Sequence, residues 1–178
     1  MGLFDGKKGL ILGVANDHSI AWAIAQQAMA EGAVCGFSHL PDRPDDERQR
    51  NRRRVAQLTD TQPNAKFLVP LDAGKDDDIR AFMKRAGDEF GKIDFLLHSI
   101  AFASMDDLKR DTIDTSRDGF KLAMDISVFS LIAVANAARE ILAPRASILT
   151  MTYFGGEKAV PGYNVMGICK AALDASVR

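Results

Sequence analysis

The chain has 178 residues, 47% of them hydrophobic and 26% charged, which suffices for one substantial core and is short for two ordinary domains. Its 23 Lys and Arg nearly balance its 24 Asp and Glu, so no overall field gathers nucleic acid or an anionic membrane surface. Cys35 and Cys169 fall in apolar contexts without metal-ligand spacing, which argues against a metal site or disulfide framework and for free thiols in a reducing cytoplasm. The N-terminus lacks a signal peptide's apolar region, and no apolar run approaches the ~20 residues of a bilayer span, so a cytoplasmic protein is expected. Residues 9–13 (Gly-Leu-Ile-Leu-Gly) read as a first buried strand, and Ile20 to Glu31, closed by Gly32, as the helix after it. Val34 to Phe37 reads as a second strand, Asp45 to Thr59 as a polar helix and Phe67 to Leu71 as a third strand. An amphipathic helix is expected from Asp76 to Phe90, then a fourth strand from Ile93 to His98. A long helix from about Ser116 to Leu142 leads to a fifth strand, Ser147 to Thr150, and a last helix starts near Tyr163 and runs to Arg178.

Strands separated by such helices pair in parallel through right-handed crossovers. The expectation is an α/β fold with a Rossmann-type doubly wound parallel sheet, in one domain over residues 1–178. No sixth strand or closing element is visible in the pattern, so C-terminal elements are expected to be missing.

In such sheets ligands bind beyond the carboxyl ends of the strands, and the residues there carry the chemistry. The turn Gly13-Val14-Ala15-Asn16-Asp17-His18-Ser19-Ile20 would offer backbone N–H groups and a positive helix end to a pyrophosphate, with Gly13 permitting close approach. Ser19 stands where a later glycine of the three-glycine fingerprint would be, so an ordinary turn with a serine N-cap is the alternative. Asp72, after the third strand, could accept a hydrogen bond from an adenine amino group or simply cap a helix. His98-Ser99-Ile100-Ala101, after the fourth, could lie along a nicotinamide, or Ser99 could be a satisfied turn hydroxyl. Tyr163 and Lys170 are seven residues apart; at ~100° per residue they fall within ~20° of one helical face. A nearby ammonium would lower the cost of negative charge on the phenol, and the phenol could donate to an oxygen that becomes anionic. The plainer alternative is a packed aromatic followed by a solvated lysine.

The Gly-x5-Ser turn, the His-Ser-Ile-Ala-Phe-Ala run, Asp118-Gly119-Phe120-Lys121 and Tyr153-x9-Tyr163-x6-Lys170 together resemble bacterial enoyl-acyl carrier protein reductase, a divergent branch of the short-chain dehydrogenase/reductases. Ordinary members of that superfamily have Tyr-x3-Lys, and Gly167 stands where that lysine would be. The resemblance implies reduction of the double bond of a trans-2-enoyl thioester carried on acyl carrier protein, by a homotetramer using NADH, with NADPH as the second candidate. It implies that Tyr163 bonds the thioester oxygen and stabilises the enolate, and that Lys170 holds the nicotinamide ribose. Tyr153 would line the acyl pocket with Ala101, Tyr163 and Met166. Gly13, Ser19, Ile20, Asp72, Ala73, Ser99, Ile100 and Lys170 would contact the cofactor.

Leu40 departs from the polar or basic residue usual near the adenosine ribose. No acid closes the second strand, and Arg43 could meet a 2′-phosphate. The arginines 48, 50, 52, 53 and 54 follow Asp42, Asp45, Asp46 and Glu47 and read as a solvated helix with acids near its N-terminus. Two other functions fit less well. A carbonyl or 3-ketoacyl reductase would use a serine upstream of the tyrosine, where Thr150 is the nearby hydroxyl, and a non-catalytic nucleotide-binding module would not need Tyr163 and Lys170.

Overall fold

Strand β1, Lys8–Leu12, buries every residue after Lys8, as a central parallel strand covered on both faces must. β2 (Val34–His39), β3 (Ala65–Pro70), β4 (Ile93–His98) and β5 (Leu142–Thr150) complete a five-stranded sheet of order β3-β2-β1-β4-β5 in a computed structural model that describes residues 2–178. β1 pairs in parallel with β2 and with β4, and β2 with β3. This is the doubly wound arrangement expected, and it puts the topological switch between β1 and β4.

The described residues form two compact units, one running to Ser99 and including Ala137–Leu149, the other Ile100–Asn136 with Thr150–Arg178. The first holds the sheet with helices α1 (Ile20–Ala30), α2 (Arg50–Thr59) and α3 (Asp76–Phe90). Its core contains Leu10, Ile11, Leu12, Phe37, Phe82 and Leu96, all fully buried. Gly36 is required there, because a Cβ on it would lie 2.2 Å from the Phe67 ring. That ring also receives Phe82, Phe90 and the Arg85 guanidinium.

The second unit holds α4 (Met105–Lys109), α5 (Arg117–Met124), a π-helical segment over Asp125–Phe129, α6 (Ser130–Ala138, whose last two residues belong to the first unit) and α7 (Asn164–Val177). Its core cluster is Ala103, Ala123, Val128, Val165, Met166 and Cys169. Asp107 ties it together: its carboxylate accepts from Ser104 Oγ, Ser116 N and Ser116 Oγ, while Ser104 and Ser116 cap α4 and α5. Those bonds, led by the one from Ser104, hold the Asp107 carboxyl below its ordinary range.

α3 and β4 have the expected bounds. α2 starts at Arg50 instead of Asp45, since the acids before it act as its caps. Asp42 accepts from Asn51 N and Arg52 N, and Asp46 from Arg48 N and Arg50 N. β5 begins five residues early and contains Pro144, which an edge strand tolerates. The expected long helix is broken by the π segment and by a 3₁₀ turn at Arg139–Ile141. The sequence shows no apolar run near 20 residues, yet the helical stretch Arg117–Ile141 is long and apolar enough by composition to cross a membrane. Core helices pass the same test, and Ala123 and Val128 of this stretch lie in the second unit's core.

Candidate functional site

In the sheet unit the turn after β1 closes against the end of β4. Ser99 N donates to Leu12 O at 3.0 Å. Gly13 has φ +99, and a Cβ on it would lie 1.9 Å from Ser99 O, so only glycine fits this crossing. Ser19 Oγ accepts from Ala15 N and Asn16 N at 3.0 and 3.1 Å and does not cap α1. The ordinary capped turn considered above is therefore not what forms: the serine organises the loop, and the first-turn amides of α1 at Ile20 are left without a side-chain cap. Such a helix end at a switch point is suited to a pyrophosphate.

Asp72 does not cap α3, whose N-cap is Lys75. It closes a turn by accepting from Gly74 N and pairs with Lys75 Nζ at 3.3 Å, and its own N–H donates to Asp78. It stands half-buried with Ala73 at the carboxyl end of β3. At the end of β2, His39 Nδ1 lies 3.0 Å from Leu40 O and Leu40 is exposed. The nearby Asp42 spends both oxygens on α2, so it is not free to meet a ribose. Arg50 pairs with Asp46, and Arg48, Arg50, Arg53 and Arg54 line one open groove, a solvated face as expected.

The second unit contains Ile100, Ala101, Tyr153, Tyr163, Met166 and Lys170. Tyr153 and Tyr163 meet edge to face, 4.7 Å between ring centroids. Gly155 makes room for this, because a Cβ on it would lie 2.4 Å from the Tyr163 ring and 3.2 Å from that of Tyr153. Burial, then the neighbouring Tyr153 and Cys169, push the Tyr163 phenol above its ordinary value, so at neutral pH it is a protonated donor. Lys170 is 6% exposed and donates to Met151 O; burial lowers its ammonium. Tyr163 and Lys170 thus answer to different partners, and the helical-face arithmetic that put them side by side is interrupted at Asn164, whose φ is +35.

Gly167 explains the spacing. A Cβ there would lie 2.8 Å from Gly155 O, so the place a lysine takes in Tyr-x3-Lys is closed, and Lys170 comes from the next turn of α7. Met166 is buried in the core cluster. A cavity of about 540 Å³ is lined by Tyr163, Asn164, Gly167, Ile168 and the loop from Gly155 to Pro161, and Met166, Tyr153 and Ala101 are not in its lining. Ala101 is exposed and Ile100 half-buried. The Asn164 and Asp107 ties were not read from the sequence; the only cue was the tolerance of Asn for left-handed backbone and of Ser and Asp for caps.

Sheet order, the left-handed glycine at the β1–β4 switch and the first turn of α1 without a side-chain cap define a Rossmann-type nucleotide-binding fold. The family model described as "Enoyl-(Acyl carrier protein) reductase" matches residues 13–178, and the chain belongs to that family. It is 44% identical over 173 residues to an enoyl-[acyl-carrier-protein] reductase [NADH] of Nostoc sp., covering 97% of this chain and 65% of the relative. The crystal structure of the Aquifex aeolicus VF5 enoyl-[acyl-carrier-protein] reductase (NADH) superposes with a TM-score of 0.92 at 42% identity, covering 99% of this chain and 67% of that one. The Bacillus cereus enoyl-acyl carrier protein reductase, crystallised with NADP+ and indole naphthyridinone, gives a TM-score of 0.91 at 44% identity, covering 99% and 66%. The chain thus spans about two thirds of the length of these relatives.

Proposed function

We propose that the protein is an enoyl-acyl carrier protein reductase that reduces the trans-2 double bond of enoyl thioesters in fatty-acid biosynthesis, in the cytoplasm and as a homotetramer. The observation that carries the reading is the Tyr153–Tyr163 pair set by Gly155, with Lys170 displaced to the next turn by the closed position at Gly167. Gly13, Ser19, Ile20 and Ser99 at the switch point, with Asp72 and Ala73 beside β3 and Ile100 and Lys170 in the second unit, would hold the dinucleotide. The Gly13 crossing and the uncapped amides of α1 fit its pyrophosphate. NADH, named for the relatives, is the proposed cofactor; no acid closes β2 and Asp42 is engaged by α2, which keeps NADPH as the second.

Bound, the cofactor supplies hydride to the β-carbon. The protonated Tyr163 phenol donates to the thioester oxygen as that oxygen gains enolate charge, a bond stronger in the transition state than in the ground state. Burial favours the neutral phenol over phenolate, so the proton stays available throughout the neutral range. Tyr153 restricts the Tyr163 ring by edge-to-face packing and, with Ala101 and Met166, would bound the acyl chain. Lys170, which donates to Met151 O, would reach the ribose hydroxyls. Exposed Phe120, Leu122, Phe129 and Ile132 along α5 to α6 support an oligomer.

The test is the loss of NADH or NADPH absorbance by full-length protein on adding a trans-2-enoyl thioester, with a 3-ketoacyl thioester as control. Enoyl-dependent oxidation is expected. Oxidation only with the ketoacyl thioester would establish the carbonyl-reductase reading, and cofactor binding without turnover of either would favour a non-catalytic module.

A further inference from the structure

Asn164 combines two features that have no part in the chemistry just described. Its backbone is left-handed at φ +35, at the first residue of a helix where right-handed geometry is the rule. Its side-chain Nδ2 donates to the carbonyls of both Leu108 and Arg110, which are orphan acceptors at the C-terminal end of α4. α4 is in turn fixed by the Asp107 bonds to Ser104 and Ser116. A left-handed backbone is costly for a non-glycine residue, and it persists here because both amide protons are anchored to a braced element.

The residue before this turn is Tyr163. It sits at the N-cap of α7 with φ −95 and ψ −23, so the Asn164 dihedral fixes the angle between the Tyr163 Cα–Cβ bond and the axis of the helix that carries Lys170. Were residue 164 right-handed, α7 would begin a residue earlier and the Tyr163 ring would leave the space that Gly155 opens beside Tyr153. We propose that Asn164 is a positioning residue: its left-handed backbone, clamped by the carbonyls of Leu108 and Arg110, aims the Tyr163 phenol at the substrate oxygen. The proposal rests on the functional reading above.

The experiment compares Asn164→Ala with Asn164→Gly in the full-length protein. Alanine disfavours positive φ, whereas glycine accepts it freely. Asn164→Ala is expected to lower kcat for a trans-2-enoyl thioester by about 10- to 100-fold, the cost of a small misplacement of a reacting group, with NADH affinity within about twofold of wild type. Asn164→Gly is expected to regain most of that kcat despite a lower Tm. A readout independent of turnover is NMR of ring-labelled tyrosine: the Tyr163 phenol should titrate above the ordinary range in wild type and Asn164→Gly, and closer to it in Asn164→Ala. Equal loss of kcat in both variants, or an Asn164→Ala protein with wild-type kcat and an unmoved Tyr163 titration, would overturn the proposal. A wild-type protein that binds NADH but turns over no enoyl thioester would sink the functional reading instead, and the tyrosine titrations would still decide whether Asn164 aims the ring.

Discussion

The sheet unit buries Leu10, Ile11, Leu12, Phe37 and Leu96 behind a parallel backbone ladder, whereas the helical unit surrounds a core of smaller side chains with Asp107, Ser127 and Asn164 bonded to neighbouring backbone. Ser127, inside the π segment, both donates to Phe102 O and accepts from Phe102 N at 3.0 Å. In the first unit apolar burial of roughly 25 cal/mol per Å² does most of the stabilising. In the second, polar side chains satisfy orphan backbone groups at helix ends. The difference teaches where substitutions act: size changes should unsettle the sheet unit, and loss of single polar atoms the helical one.

The sharpest test of the helical unit is Tyr163→Phe, which keeps the ring packing and removes one donor. We expect kcat to fall about 10²- to 10³-fold, the usual cost of one oxyanion donor, with NADH affinity nearly intact, checked by steady-state kinetics and fluorescence titration. Unchanged turnover would remove Tyr163 from its role. In the sheet unit, Gly13→Ala forces a Cβ toward Ser99 O at positive φ and should cost about 3 kcal/mol by denaturant unfolding, the upper end of the usual range for overpacking because strain at positive φ adds to it. A stable Gly13→Ala protein would mean that the turn repacks. Gly36→Ala, which drives a methyl into the Phe67 ring, should cost about 1–3 kcal/mol while leaving Tyr163 titration unmoved.

The smallest expected effect is electrostatic. Because the folded Asp107 carboxyl lies below its ordinary value, its contribution is complete above the unfolded carboxylate range and is lost as pH falls through the folded value. Thermal unfolding followed from pH 7 down to pH 2 should show wild type losing this increment below about pH 4, and Asp107→Asn should flatten that part of the profile. Parallel profiles for the two proteins would show that Asp107 does not couple to acid unfolding.

The sheet unit was largely legible in the sequence. A continuous apolar run between Gly9 and Gly13 marked β1, and the 3.6-residue stripe Ile79, Phe82, Met83, Ala86, Phe90 marked α3. The start of α2 was misplaced because Asp42, Asp45 and Asp46 look the same whether they begin a helix or cap it from outside. The helical unit was harder. The π segment over Asp125–Phe129 has no periodic signature distinct from an α-helix, so one unbroken helix was expected. Tyr153, Tyr163 and Lys170 were identified by resemblance, but nothing in their spacing shows that Lys170 turns to Met151 O or that Asn164 interrupts the helical phase between the other two. The first depends on a backbone carbonyl in the loop after β5, and the second goes with the Asn164 side-chain bonds to Leu108 and Arg110, more than fifty residues away in the chain.

The two cysteines carry a practical consequence. Cys35 is fully buried, its thiol pushed up to about 12, and burial also raises that of Cys169. Alkylating and disulfide reagents are attacked by the thiolate, and neither group forms it appreciably at neutral pH. Across these 178 residues the folded chain is therefore a quiet background for site-specific labelling: a single cysteine introduced at an exposed position such as Ile113 or Lys158 would take a fluorophore or spin label alone, without first removing the native pair.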